Sequence, residues 1–184
     1  MNQQNVKLEE TKRRCNTAAN VLSVFKIFMI LGAVLSFVSG ILMFVYQSEI
    51  NPYLEQSVAE GRVKIDALAT DGAIRLLVDA SGALEAGNYA IVVWINCMVA
   101  TLICLVAMVV VMIFRSIFVK IQEEDSPFKQ EVLQNMKRAF IIVTVASLFF
   151  VGFGVAVMVG LLLWCIYAIF EYGTELQNEV DETL

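Results

Sequence analysis

An all-α integral membrane protein is the fold class this sequence predicts, on three observations. Its 184 residues are 59% hydrophobic and only 17% charged, where soluble domains hold roughly 45–50% and about 25%. The mean hydropathy is +0.73. The apolar residues are gathered into uncharged runs at 27–46, 91–114 and 139–170, of 20, 24 and 32 residues. Each reaches or exceeds the roughly 20 residues that cross a hydrocarbon core. One membrane domain over 1–184 is expected, with 47–89 as an insertion outside the bilayer.

The first run is longer than the apolar region of a cleavable signal and is followed by the bulky Phe44-Val45-Tyr46 rather than a small-x-small site, so it is expected to stay as an anchor. Lys7, Lys12, Arg13 and Arg14 precede it, and Arg115, Lys120, Lys129, Lys137 and Arg138 lie between the second and third runs. Basic flanks stay inside, which places the amino terminus and the 115–138 linker in the cytoplasm. Segment 47–90 has three basic residues against seven acidic ones and is expected to face outward.

Within that outer segment Asn51 and Pro52 suggest the N-cap and first position of a short helix ending at Gly61. The period then changes. Val63, Ile65, Ala67 and Ala69 alternate with Arg62, Lys64, Asp66 and Leu68, Asp71-Gly72 offers a two-residue turn, and Ile74, Leu76 and Val78 alternate again. The pattern predicts a β-hairpin cap with strands near 62–69 and 73–80. Ile65 would face Val78, and Lys64 would face Asp79.

On the inner side Ser126, Pro127 and Phe128 predict a helix corner: Ser126 as N-cap, Pro127 at the first helical position and Phe128 tucked toward the other helices. The third run admits two readings. As one helix its 32 residues would extend about 48 Å, so length favours three spans with one long last helix. Broken at Gly152-Phe153-Gly154, it gives two arms of 13 and 16 residues, each short for a span, and a four-helix bundle.

Small residues recur at four-residue spacing, as Gly32, Ser36 and Gly40 in the first run and Gly152, Ala156 and Gly160 in the last. Such stripes let helix backbones approach. Intramolecular packing is the first expectation and a homodimer the second. Asn96, the lone amide inside a run, is read as an interhelical hydrogen-bonding group.

The chemistry of catalysis is thinly represented. There is no histidine, no zinc-type cluster and no carboxylate inside an uncharged run, so neither an enzyme nor a cofactor is expected. The four cysteines suggest packing rather than disulfides, because Cys97, Cys104 and Cys165 lie within apolar runs. A net charge of −5 and a pI near 4.8 argue against direct nucleic-acid binding. Lys26 and Glu171, at run edges, would meet at one membrane face only in the four-helix arrangement.

The carboxyl end reads Ile169-Phe170-Glu171-Tyr172-Gly173-Thr174-Glu175-Leu176-Gln177, then Asp181-Glu182-Thr183-Leu184. Together with Ser126-Pro127-Phe128, it resembles the bacterial membrane proteins grouped as domain of unknown function 2975, most strongly from about residue 90 to the end. The resemblance implies four membrane helices in a bacterial cytoplasmic membrane, with both ends cytoplasmic, and a small helix-turn-helix regulator as partner. The four-helix reading is adopted on that ground.

Two functions from different classes follow. The first is a membrane-anchored regulatory module that passes an outer or bilayer signal to the regulator through a docking surface at Tyr172, Glu175, Gln177, Asp181 and Glu182. The second is a transport accessory or an immunity protein against a membrane-active peptide, with the outer cap as the contact.

Overall fold

The computed structural model describes residues 3–68, 70, 72–123, 128 and 130–182. In lipid each backbone N–H and C=O must be satisfied within the chain, so long apolar runs wind into helices. Four such helices are long and apolar enough to cross a membrane: α1 (Gln3–Val45), α5 (Tyr89–Glu123), α6 (Gln130–Phe150) and α7 (Phe153–Glu182). Three shorter ones, α2 (Gln47–Ala59), α3 (Ile74–Leu77) and α4 (Ser81–Glu85), lie between α1 and α5.

The 32-residue run is divided, and the three-span alternative is thereby excluded. Gly152 adopts φ +126°, a conformation open to glycine and strained for other residues. Its N–H donates to Ser147 C=O at 2.9 Å, and its own C=O accepts the Ala156 N–H at 3.0 Å, the first bond of the next helix. Only Val151 and Gly152 therefore separate α6 from α7. Length had favoured one helix because it scores apolar residues and is blind to a backbone reversal.

The long helices form two antiparallel pairs. α1 lies along α5, α7 lies along α6, and α5 also touches α6. A cluster of Ile117, Val132, Met136, Ala139 and Phe140 joins α5 to α6, with Leu163, Tyr167 and Phe170 of α7 packed against it. Elsewhere the apolar side chains face outward: Phe28, Leu35, Phe153 and Ile169 are each at least 65% exposed, as befits surfaces in contact with acyl chains. The hydroxyls of Thr101, Thr144 and Ser147 bond to carbonyls one turn back, so they cross the apolar region without an unmet donor.

The β-hairpin is not formed: among the described residues there are no strands, and Ile74–Leu77 is helical. Ala69 and Asp71 of the expected strand and turn lie outside the described residues. The apolar side chains of this segment are used against the membrane helices instead of against each other. Leu68 and Ile74 bury with Val99, and Val78, Ile95, Ile103 and Phe150 pack around them. A two-stranded ribbon on its own is marginal in water, whereas docking on α5 and the α6–α7 turn buries Ile74 together with Leu68, which the alternation set on the opposite face.

The short-helix expectation is corrected at its start and met at its end. α2 begins at Gln47, separated from α1 by Tyr46 alone, and carries Pro52 inside it. Asn51 does not cap α2. Its amide donates to Gly87 C=O at 2.8 Å and its carbonyl oxygen accepts the Ala90 N–H at 3.1 Å, so it caps the start of α5. Gly61, at φ +69°, closes the far end of α2.

Candidate functional site

The helix ends around the α5–α6 corner carry polar groups. Arg115 Nε of α5 donates to Ser23 Oγ of α1 at 2.9 Å, and Lys120 of α5 pairs with Glu131 of α6 at 2.6 Å. α5 ends at Glu123 and α6 begins at Gln130. Of the predicted corner, Ser126 and Pro127 lie outside the described residues, but Phe128 is not helical, so Pro127 is not the first residue of α6 as the sequence predicts. Phe128 is described, and its ring stands 5.8 Å from that of Phe170, tilted by 41°.

The same ring covers Gly173, where a Cβ would come within 2.5 Å of Phe128 Cε1. The corner is thus fastened to α7 at a residue whose hydrogen side chain leaves room for it. Thr174, next along, is 3% exposed and bonds back to Phe170 C=O at 2.9 Å. These contacts carry α7 as a helix through the tail to Glu182.

On this helix the proposed docking residues separate by face. Tyr172 is 62% exposed and Glu175 is exposed, beside a 44% exposed Leu176. Gln177 is half-buried. Asp181 and Glu182 occupy the last turn of α7, and their side chains lie outside the description. Tyr172, Glu175, Leu176 and Glu179 follow i, i+3, i+4, i+7 spacing, one face of a helix. An aromatic ring, an aliphatic side chain and two carboxylates therefore share a face.

Lys26 and Glu171 lie toward the same end, on α1 and α7. No ion pair joins them among the described residues, because α1 packs on α5 while α7 packs on α6. Glu171 instead accepts from the Tyr167 hydroxyl at 3.3 Å, and the Lys137 ammonium stands 6.0 Å from the Tyr167 ring centroid. This trio is not readable from local spacing, since Lys137 and Tyr167 meet only once the long run is folded back on itself.

At the opposite end the cap sits on the α6–α7 turn. Ala73 N–H donates to Leu148 C=O at 3.1 Å. At Gly72 a Cβ would overlap the Phe149 carbonyl, so backbone meets backbone there. Asn96 donates to Val92 C=O of its own helix at 3.0 Å and to Asp66 C=O at 3.4 Å. The second bond ties the cap to α5.

Both small-residue stripes face partners within the chain. A Cβ on Gly40 would lie 3.1 Å from Cys97 Cβ, one on Gly32 would lie 3.4 Å from Cys104 Sγ, and one on Gly160 would lie 3.1 Å from Thr144 Cγ2. Ser36 is half-buried on the first stripe, and Ala156 is buried on the second. Gly152 belongs to the turn rather than to a packing face.

All four cysteines are free thiols. Among the described residues no group of three or more His, Cys, Asp or Glu side chains is placed to hold a metal. Comparison of the chain with protein-family models, curated proteins and solved structures gives no match.

Proposed function

We propose that this chain is a membrane-anchored regulatory module of a bacterial cytoplasmic membrane, with its amino terminus and tail in the cytoplasm, acting on a small helix-turn-helix regulator. The observation that carries the reading is the continuity of α7. It begins one residue after the Gly152 turn on which the outer cap rests and runs without a break to the acidic tail. Its 30 residues make a rod of about 45 Å. A shift of the cap against the turn would displace the tail as one body. The exposed face of Tyr172, Glu175 and Leu176 then offers a partner both apolar contact and negative charge. The regulator's identity rests on the resemblance to domain of unknown function 2975.

The test is site-specific photo-crosslinking in native membranes from Tyr172, with Val145 on the lipid-facing side as control. Capture of a small DNA-binding protein from Tyr172 alone is the expected result. Capture of lipid or of nothing at both positions, with transcription unchanged on deletion of the chain, would overturn the proposal.

A further inference from the structure

Between α6 and α7 lies a groove that neither the cap nor the tail uses. It encloses about 430 Å3, inside the 300–1,000 Å3 range of small-molecule sites. Phe140, Ile141 and Thr144 line one wall, and Leu163, Trp164 and Tyr167 line the other. At Gly160 the helices close on each other, a Cβ there being 3.1 Å from Thr144 Cγ2. Lys137 stands at the other end, seven residues from Thr144, or about 10 Å along the helix. The groove is thus apolar along its length, shut at the membrane-interior end and charged at the interface end.

The charged end carries both signs. The Lys137 ammonium lies over the Tyr167 ring, and the Tyr167 hydroxyl donates to Glu171. Lys137 forms no ion pair among the described residues. An anionic head without a cation would meet the Glu171 carboxylate, and a purely cationic one would meet Lys137. A phosphodiester with an ammonium a few atoms farther on satisfies both.

We infer that the groove is a binding site for a phospholipid with a primary-ammonium headgroup, its phosphate at Lys137, its ammonium at Glu171 and one acyl chain in the groove. A primary ammonium donates hydrogen bonds to a carboxylate, as a quaternary one cannot. Trp164 and Tyr167 border the head, as aromatic side chains do at membrane interfaces. Lys137 reaches the phosphate by extending its stem along the apolar wall. Arg138, its neighbour, faces a different groove against α5 and takes no part.

The full chain carrying Trp94→Phe, which leaves Trp164 as the sole tryptophan, is reconstituted in phosphatidylcholine vesicles. A minor fraction of brominated-chain phosphatidylethanolamine, phosphatidylglycerol or phosphatidylcholine is added, and quenching of Trp164 is read. The ethanolamine lipid should quench preferentially, by about fivefold over the choline lipid, the scale of one net hydrogen bond. Glu171→Gln should remove the preference while raising quenching by the glycerol lipid, and Lys137→Gln should lower quenching by all three lipids. Both side chains are exposed, and circular dichroism checks that the variants stay helical. Equal quenching by all three lipids, strongest quenching by the glycerol lipid in the parent chain, or a preference indifferent to both substitutions would overturn the assignment.

Discussion

At Gly40 the absence of a side chain is what brings the first two membrane helices together, since Met98 and Cys97 occupy the space a Cβ would fill. Gly40→Val should destabilise the chain by about 1–3 kcal/mol, the range for overpacking a close contact. Denaturant titration in mixed micelles would measure it, and a neutral result would mean that α1 and α5 separate freely. This glycine was legible from its spacing with Gly32 and Ser36. Asn51 was not: an Asn before Pro reads as a cap for its own helix, and the sequence does not reveal that its amide reaches Gly87 and Ala90. Asp79 gives a prediction in pH. Its carboxylate accepts from the Ser81 hydroxyl and the Ser81 N–H, and these bonds hold its pKa below the ordinary 3.8. Because the folded value is depressed, the contribution to α4 is present above 3.8 and is lost as pH falls through the lower, folded value. An NMR titration of the Asp79 carboxyl carbon should have its midpoint below 3.8.

Among elements, the outer segment shows most clearly where a local pattern stops being informative. Alternation at 63–69 set Val63, Ile65 and Ala67 on the apolar face and Leu68 on the other, yet Val63 is exposed and Leu68 is buried. It predicted a second strand as the partner, whereas Leu68 and Ile74 bury against Val99 of α5. The long helices were readable because hydrocarbon leaves an apolar run one way to satisfy its backbone. The break at Gly152 was visible as a glycine, but its weight against 32 uninterrupted apolar residues was not. Asn51→Ala should loosen α2 from the start of α5 at a cost of about 0.5–2 kcal/mol, as expected for loss of a cap. Limited trypsin digestion at Arg62 and Lys64 would register the change as faster cleavage. Gly72→Val should free the cap more completely, because the obstacle is the Phe149 backbone rather than a movable side chain. Unchanged protection in that variant would show that the cap does not rest on the turn.

At the scale of the molecule, four apolar helices with a two-residue reversal between the last two bring both chain ends to one side. A cysteine at Asn178, introduced after Cys15, Cys97, Cys104 and Cys165 are replaced, should escape a membrane-impermeant thiol reagent in intact cells and react after permeabilisation. Labelling from outside would place the tail away from any cytoplasmic regulator. Of the candidate site, the exposed tail residues were legible as an acidic end with an aromatic. The Lys137, Tyr167 and Glu171 constellation was hidden, because it depends on a fold-back that joins residues thirty positions apart. The same fold-back makes the two helix pairs unequal in height. From Lys137 to Gly152 is fifteen residues, about 22 Å of helix, whereas α1 and α5 carry enough apolar length for the full core of about 30 Å. One flank of the protein therefore matches a thick bilayer and the other a thin one. The shorter flank would be accommodated by local thinning of the bilayer or by snorkelling of Lys137, each at a modest cost.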